Sequence, residues 1–215
     1  MTADRSRERN RAGGGRLEKV SGPLLVRRFS VRQPEMFRVV ETVASQKLTS
    51  IDRAALCELA QTAMDLEYER LDGDFLQAGC GAGGAAIVLA HAKRRARALE
   101  VHDPFAGGPE AEALARRDLA AHGADERLNV QLFSGPYEQT LWADGPIALA
   151  HADCGEYGPM RVLLERLAPR LVSGGCLIVD DYGTREECRR AVDDHFRGKK
   201  GFRLVRKSRL HVTRS

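Results

Sequence analysis

Asp74-Phe75-Leu76-Gln77-Ala78-Gly79-Cys80-Gly81-Ala82-Gly83-Gly84-Ala85-Ala86-Ile87-Val88-Leu89-Ala90 is the stretch on which the fold turns. Phe75 to Ala78 is a compact apolar run entered from Asp72-Gly73-Asp74, the pattern of a short buried strand. Ala85, Ala86, Val88, Leu89 and Ala90 read as the first turns of a helix. The glycines between them permit a sharp turn and the close approach of a ligand to the backbone. The first N–H groups of the helix lack partners and carry partial positive charge, which suits a carboxylate or phosphate. In outline this is a nucleotide-cofactor turn.

Working outward, the spacing predicts βα units. Helices are expected over Gln33 to Gln46 and over Ile51 to Leu71, the second capped by Thr49 or Ser50. After the glycine turn come a strand from Ala96 to His102, a helix from Pro109 to His122 and a strand from Asn129 to Phe133. A short helix follows around Tyr137 to Trp142, then a strand from Pro146 to Ala152. A helix is expected from Met160 to Leu171, ended by Gly174-Gly175, then a strand from Cys176 to Val179. The last helix would start at a capping box of Thr184 and Glu187. Phe202 to Val205 and Leu210 to Thr213 read as a hairpin. The alternation predicts an α/β, Rossmann-like fold with a mostly parallel sheet of about seven strands and an antiparallel C-terminal hairpin. Residues 1–20, arginine-rich with a Gly13-Gly14-Gly15 run, are expected to be a disordered basic tail. Residues 21–72 would be helices serving as a lid or subunit contact, and residues 73–215 the cofactor-binding domain.

Composition narrows the classes. The 215 residues suffice for one domain with a sizeable core, and 43% hydrophobic with 30% charged content fits a globular chain in water. No run approaches the ~18 apolar residues of a membrane span. The polar start has no apolar core of a secretory signal. Five scattered cysteines without a CxxC pair argue against a disulfide framework or a zinc site and for a reducing cytoplasm. A formal charge of +4 does not by itself imply nucleic acid.

In such sheets ligands sit beyond the carboxyl ends of the strands. Those ends here are Gly79 to Gly84, Asp103, Ser134, Asp153 and Asp180-Asp181. Gly79, Gly81 and Gly84 satisfy G-x-G-x-x-G, with Glu100 and Asp103 roughly 20 residues on, so a nicotinamide enzyme is a rival. The acids after the fourth and fifth strands would repel a pyrophosphate but suit a divalent cation. Hard oxygen donors select Mg²⁺, Mn²⁺ or Ca²⁺ over a thiolate-loving metal. His151 reads as a core or supporting histidine, Trp142 as core or adenine-pocket wall, and Tyr157 and Tyr182 as pocket lining or packing.

On four segments the chain resembles the macrocin O-methyltransferase family, which methylates sugar hydroxyls in antibiotic biosynthesis. They are Gly73 to Gly84, Asp103-Pro104-Phe105-Ala106-Gly107, Asp153-x-x-x-Tyr157, and Gly174 to Tyr182 continued by Cys188 to Asp193. The resemblance implies a class I methyltransferase using S-adenosyl-L-methionine (SAM). It makes Asp153, Asp180 and Asp181 the ligands of Mg²⁺ or Mn²⁺, with Asp153 also the catalytic base. It gives cofactor contacts to Gly79, Gly81, Gly83, Asp103, Ser134 and Asp153. The acceptor would be a small hydroxylated molecule, a sugar or natural-product intermediate, and the chain a homo-oligomer. The family usually has glutamate where Gln77 stands and a second aspartate where Gly155 stands. A catechol-type O-methyltransferase, or a SAM-binding partner protein without activity, are the alternatives.

Overall fold

In this computed structural model, residues 22–142 and 144–215 are described. The expected basic tail lies outside them. The described chain runs α1 (Gly22–Arg32), α2 (Pro34–Ser45), α3 (Arg53–Tyr68), β1 (Asp74–Ala78), α4 (Gly84–Ala92), β2 (Leu99–Asp103), α5 (Pro109–Ala121), β3 (Val130–Ser134) and α6 (Tyr137–Thr140). It continues through β4 (Ile147–Ala152), α7 (Tyr157–Leu167), β5 (Leu171–Val179), α8 (Glu186–Phe196), β6 (Phe202–Arg206) and β7 (Leu210–Arg214).

The strands form one sheet in the order β3-β2-β1-β4-β5-β7-β6. The first five are parallel, and β7 pairs antiparallel with both β5 and β6. Side chains alternate across the sheet, so each strand feeds two cores. Phe75, Leu99, Val101, Leu149 and Ile178 face α1 to α5. Leu76, Ala150, Leu177, Val179 and Val212 face α6, α7 and α8. Burial on both faces explains why β1 and β4 read as continuous apolar runs instead of alternating ones. The order reverses direction between β1 and β4, and the crevice at that switch point opens beyond Ala78 and Ala152.

Several expected boundaries move, each for a local reason. The second strand begins at Leu99, because residues 96–98 belong to the turn after α4. The expected cap of α3 passes to Asp52, whose Oδ1 accepts the Ala55 N–H at 3.0 Å. Thr49 instead accepts the N–H of Ile51 in a local turn. The seventh helix ends at Leu167 ahead of Pro169, and Leu171 already belongs to β5. Gly174-Gly175 therefore lies inside a strand. The pairing jumps from Ile147–Leu171 to Leu149–Cys176 there, which marks a bulge. No capping box forms on α8. Thr184 donates to Asp181 Oδ1 at 2.8 Å, while Glu187 accepts the Tyr157 N–H at 3.2 Å. Trp142 is 68% exposed, because α6 stops at Thr140 and Leu141 takes the buried position. Gly22–Arg32 forms the first of the helices expected over residues 21–72, and Phe29 is its buried anchor.

Candidate active site

The ladder between neighbouring strands continues one residue past their ends. The Asp153 N–H donates to Ala78 O at 2.8 Å and the Asp180 N–H to Ala152 O at 2.9 Å. The first residues beyond β4 and β5 are thus still in register, which brings their side chains to one spot. Asp153, Asp180 and Asp181 each place a carboxylate oxygen within 4.8 Å of the others. At an effective dielectric of ~20, each such pair repels by about 3 kcal/mol. Burial drives the Asp153 carboxyl up to about 6; Asp180 and Asp181 push the same way, against His151 and Arg209. Burial also acts to raise Asp180, but the neighbouring His151 and the charge and hydrogen bond of Arg209 outweigh it and bring it below the usual carboxylate range.

The cation beside Asp180 was invisible in the sequence. Arg209 Nε donates to Asp180 Oδ1 at 2.6 Å, and Arg209 Nη2 to Asp52 Oδ2 at 3.1 Å. A motif search around the strand ends could not find it, since Arg209 enters from the β6–β7 turn. Three carboxylates with one guanidinium leave a formal charge of −2. Oxygen donors only, close spacing and that residual charge fit a divalent hard cation.

His151 is buried behind the cluster. Its Nδ1 lies 2.7 Å from Gln77 Oε1 and its Nε2 3.8 Å from Asp180 Oδ1. Gln77, fully buried, donates through Nε2 to Gly79 O at 2.6 Å. One polar chain therefore joins the glycine turn to the acidic cluster.

The three glycines expected at the cofactor differ in their surroundings. Gly79, at φ +84°, leaves no room for a Cβ, which would stand 2.0 Å from Asp153 O. Gly83 packs on Leu119 of α5. Gly81, at φ +52°, faces open space, so its backbone is the part of the turn a ligand can approach. Asp103 closes β2 beside it. Its Oδ2 accepts the N–H groups of Cys80 at 2.5 Å and Gly81 at 3.1 Å, and its Oδ1 that of Phe105 at 2.6 Å. A carboxylate offers about four acceptor positions, so capacity remains for a ligand hydroxyl. Phe105 sits at φ +45°, a conformation uncommon for a bulky residue, held by that bond. Ser134 closes β3, and its hydroxyl donates to Glu112 Oε2 at 2.7 Å.

The remaining residues settle elsewhere. Tyr157 and Tyr182 turn their hydroxyls to α8, donating to Asp194 Oδ2 at 3.2 Å and Asp193 Oδ1 at 2.9 Å. His102 is buried and stacked on Phe133, ring centres 4.8 Å apart. Burial pushes the Cys80 thiol up to about 12 and raises that of Cys154, so neither supplies a thiolate at neutral pH. At Gly155, a Cβ would meet Arg185 Cγ and Asp181 Oδ2, each at 3.1 Å. The Arg185 side chain thus occupies the space beside Asp181 that a side chain at 155 would take.

Residues 76–182, the segment from β1 through the acidic cluster, match a known family. The match is to a methyltransferase domain. A tetracenomycin-type enzyme from Streptomyces olivaceus, 8-demethyl-8-(2,3-dimethoxy-alpha-L-rhamnosyl)-tetracenomycin-C 4'-O-methyltransferase, is 31% identical over 157 residues. The aligned part covers 60% of this chain and 59% of that enzyme, so the chain spans well under two thirds of its relative's length. Among solved structures, the O-methyltransferase NovP superposes with a TM-score of 0.60 at 24% identity, over 77% of this chain and 81% of NovP. A TDP-rhamnose 3'-O-methyltransferase of calicheamicin biosynthesis superposes at 0.63 with 17% identity, over 88% and 92%. An SAH-bound methyltransferase from Podospora anserina superposes at 0.62 with 17% identity, over 84% and 87%. The described chain has an α/β Rossmann-like architecture, the fold it shares with these solved structures. Among the described residues, no helix is long and apolar enough to cross a membrane.

Proposed function

We propose that this chain is a SAM-dependent O-methyltransferase, assisted by Mg²⁺ or Mn²⁺, that methylates a hydroxyl of a sugar or natural-product intermediate. The observation that carries the reading is the convergence of Asp153, Asp180 and Asp181 beside the glycine turn, at the switch point of the sheet. The sugar part is supported by the tetracenomycin relative, whose name describes methylation on a rhamnosyl derivative.

SAM would lie along the turn at Gly81 and supply the electrophilic methyl group. Asp103 has the position and the spare acceptor capacity for ribose hydroxyls, and the strand end at Ser134 belongs to the same rim. Gly79 and Gly83 hold the turn against β4 and α5. A divalent ion at the triad would supply charge stabilisation and a lowered hydroxyl pKa. Asp153 is the proton acceptor. It closes β4 directly beside the glycine turn, its backbone oxygen packed against Gly79. Bound there, SAM would supply a methyl group on a good leaving group, S-adenosylhomocysteine, and Asp153 would take the proton lost from the acceptor hydroxyl. Most of the rate comes from orientation.

Calorimetric titration of S-adenosylhomocysteine, followed by transfer of labelled methyl from SAM to a panel of glycosides and catechols with and without chelator, tests the reading. Micromolar binding with chelator-sensitive transfer to glycosides is expected. Tight binding without transfer to any acceptor would turn the reading toward a non-catalytic partner.

A further inference from the structure

Arg209 is held in place more firmly than a side chain at a hairpin turn needs to be. Its Nη2 is anchored on Asp52, whose other carboxylate oxygen caps α3. Next to it, the Ser208 N–H donates to Glu58 Oε2 at 3.0 Å, and the Ser208 hydroxyl donates to the same oxygen. The β6–β7 turn is therefore fixed to α3 at two points, and the guanidinium is left pressed against Asp180 Oδ1 at 2.6 Å. Guanidinium keeps its charge at any working pH. A divalent ion on Asp180 must accept that neighbour or displace it, and in a part-buried site the repulsion is poorly screened.

We propose that Arg209 is a resident counter-cation that competes with the divalent ion for Asp180, so that the triad takes its metal weakly and exchangeably. The inference rests on the metal-assisted reading above. It makes Arg209 a positioning residue, acting through Asp180. The same guanidinium could instead orient the Asp180 carboxylate for the metal, and the two roles predict opposite signs when it is removed.

The test is Mn²⁺ titration of the chelator-treated chain with free Mn²⁺ read by electron paramagnetic resonance, a readout independent of turnover. Arg209→Gln is expected to bind at least about tenfold more tightly than the wild type, and Arg209→Lys, which keeps the charge, within about threefold of it. Asp52→Asn keeps a helix cap but removes one anchor, and is expected to fall between. Equal or weaker binding by Arg209→Gln overturns the proposal while leaving the metal site standing. Should Arg209→Gln not fold, judged by circular dichroism, Asp52→Asn decides, and binding no tighter than wild type overturns it. Asp181→Asn is the control. Mn²⁺ binding by none of the proteins, or binding that Asp181→Asn does not change, removes the metal reading itself and this inference with it.

Discussion

Gln77 on β1 and His151 on β4 are direct register partners, and the Gln77 amide oxygen lies 2.7 Å from His151 Nδ1. With its amide nitrogen on Gly79 O, Gln77 holds the glycine turn and His151 holds the flank of Asp180. Neither residue faces solvent, so the pair acts through geometry and not through ligand contact.

Replacing Gln77 with glutamate, the residue usual in the family the chain resembles, removes the donor to Gly79 O and sets two acceptors against each other. The expected cost is about 1–3 kcal/mol. Denaturant melts above and below neutral pH check it, the loss being smaller where the new carboxyl is protonated.

Asp181→Asn is expected to lower metal-stimulated methyl transfer by about 10- to 100-fold while leaving the affinity for S-adenosylhomocysteine within about twofold. Asp153→Asn, which removes the proposed proton acceptor, should cost about 10²–10⁴ in kcat. Turnover that is unchanged in excess chelator would sink the metal assignment.

At position 155 a Cβ would press on two neighbours, Asp181 Oδ2 and Arg185 Cγ, each at 3.1 Å. Gly155→Asp adds this contact and a fourth carboxylate beside Asp181. A loss of about 1–3 kcal/mol is expected. Arg185→Ala in the same chain should recover the steric part, so the double mutant melts above Gly155→Asp alone. A fully additive pair would show that Arg185 does not occupy that space.

Glu58 sets a pH dependence. Burial raises its carboxyl, but the nearby His211 imidazole and the hydrogen bonds from Ser208 outweigh burial and bring it below the ordinary 4.5. The folded state thus binds fewer protons than the unfolded one. The contribution is present above the unfolded value of 4.5 and is lost as pH falls through the folded value. Glu58→Gln is therefore expected to cost about 1–3 kcal/mol at neutral pH, and the gap to wild type should shrink in urea melts below about pH 4. A gap that widens on acidification contradicts the sign.

Much of this arrangement was legible in the chain. The glycine turn, the alternation of strands and helices and the acids at the strand ends are local patterns, and strand-end acids converge whenever the strands are neighbours. The illegible parts depend on register and docking. Gln77 meets His151 only because β1 pairs with β4, and Arg209 meets Asp180 only because the hairpin lies beside β5 in an antiparallel sense. Thr184 and Glu187 had the spacing of a cap but found other partners, Asp181 and Tyr157. Gly22–Arg32 falls in the segment expected to be helical, but its bounds depend on docking: with arginines at three positions, it has one buried side chain, Phe29, in the core that α3 also lines.

The tie between Arg209 and Asp180 also has a topological side. The two residues meet only because β7 pairs with β5. Without the C-terminal hairpin, β4 and β5 would still bring three crowded carboxylates together, with no guanidinium fixed beside them. Charge balance at this crevice therefore belongs to the last strands of the sheet, not to the strands that carry the acids.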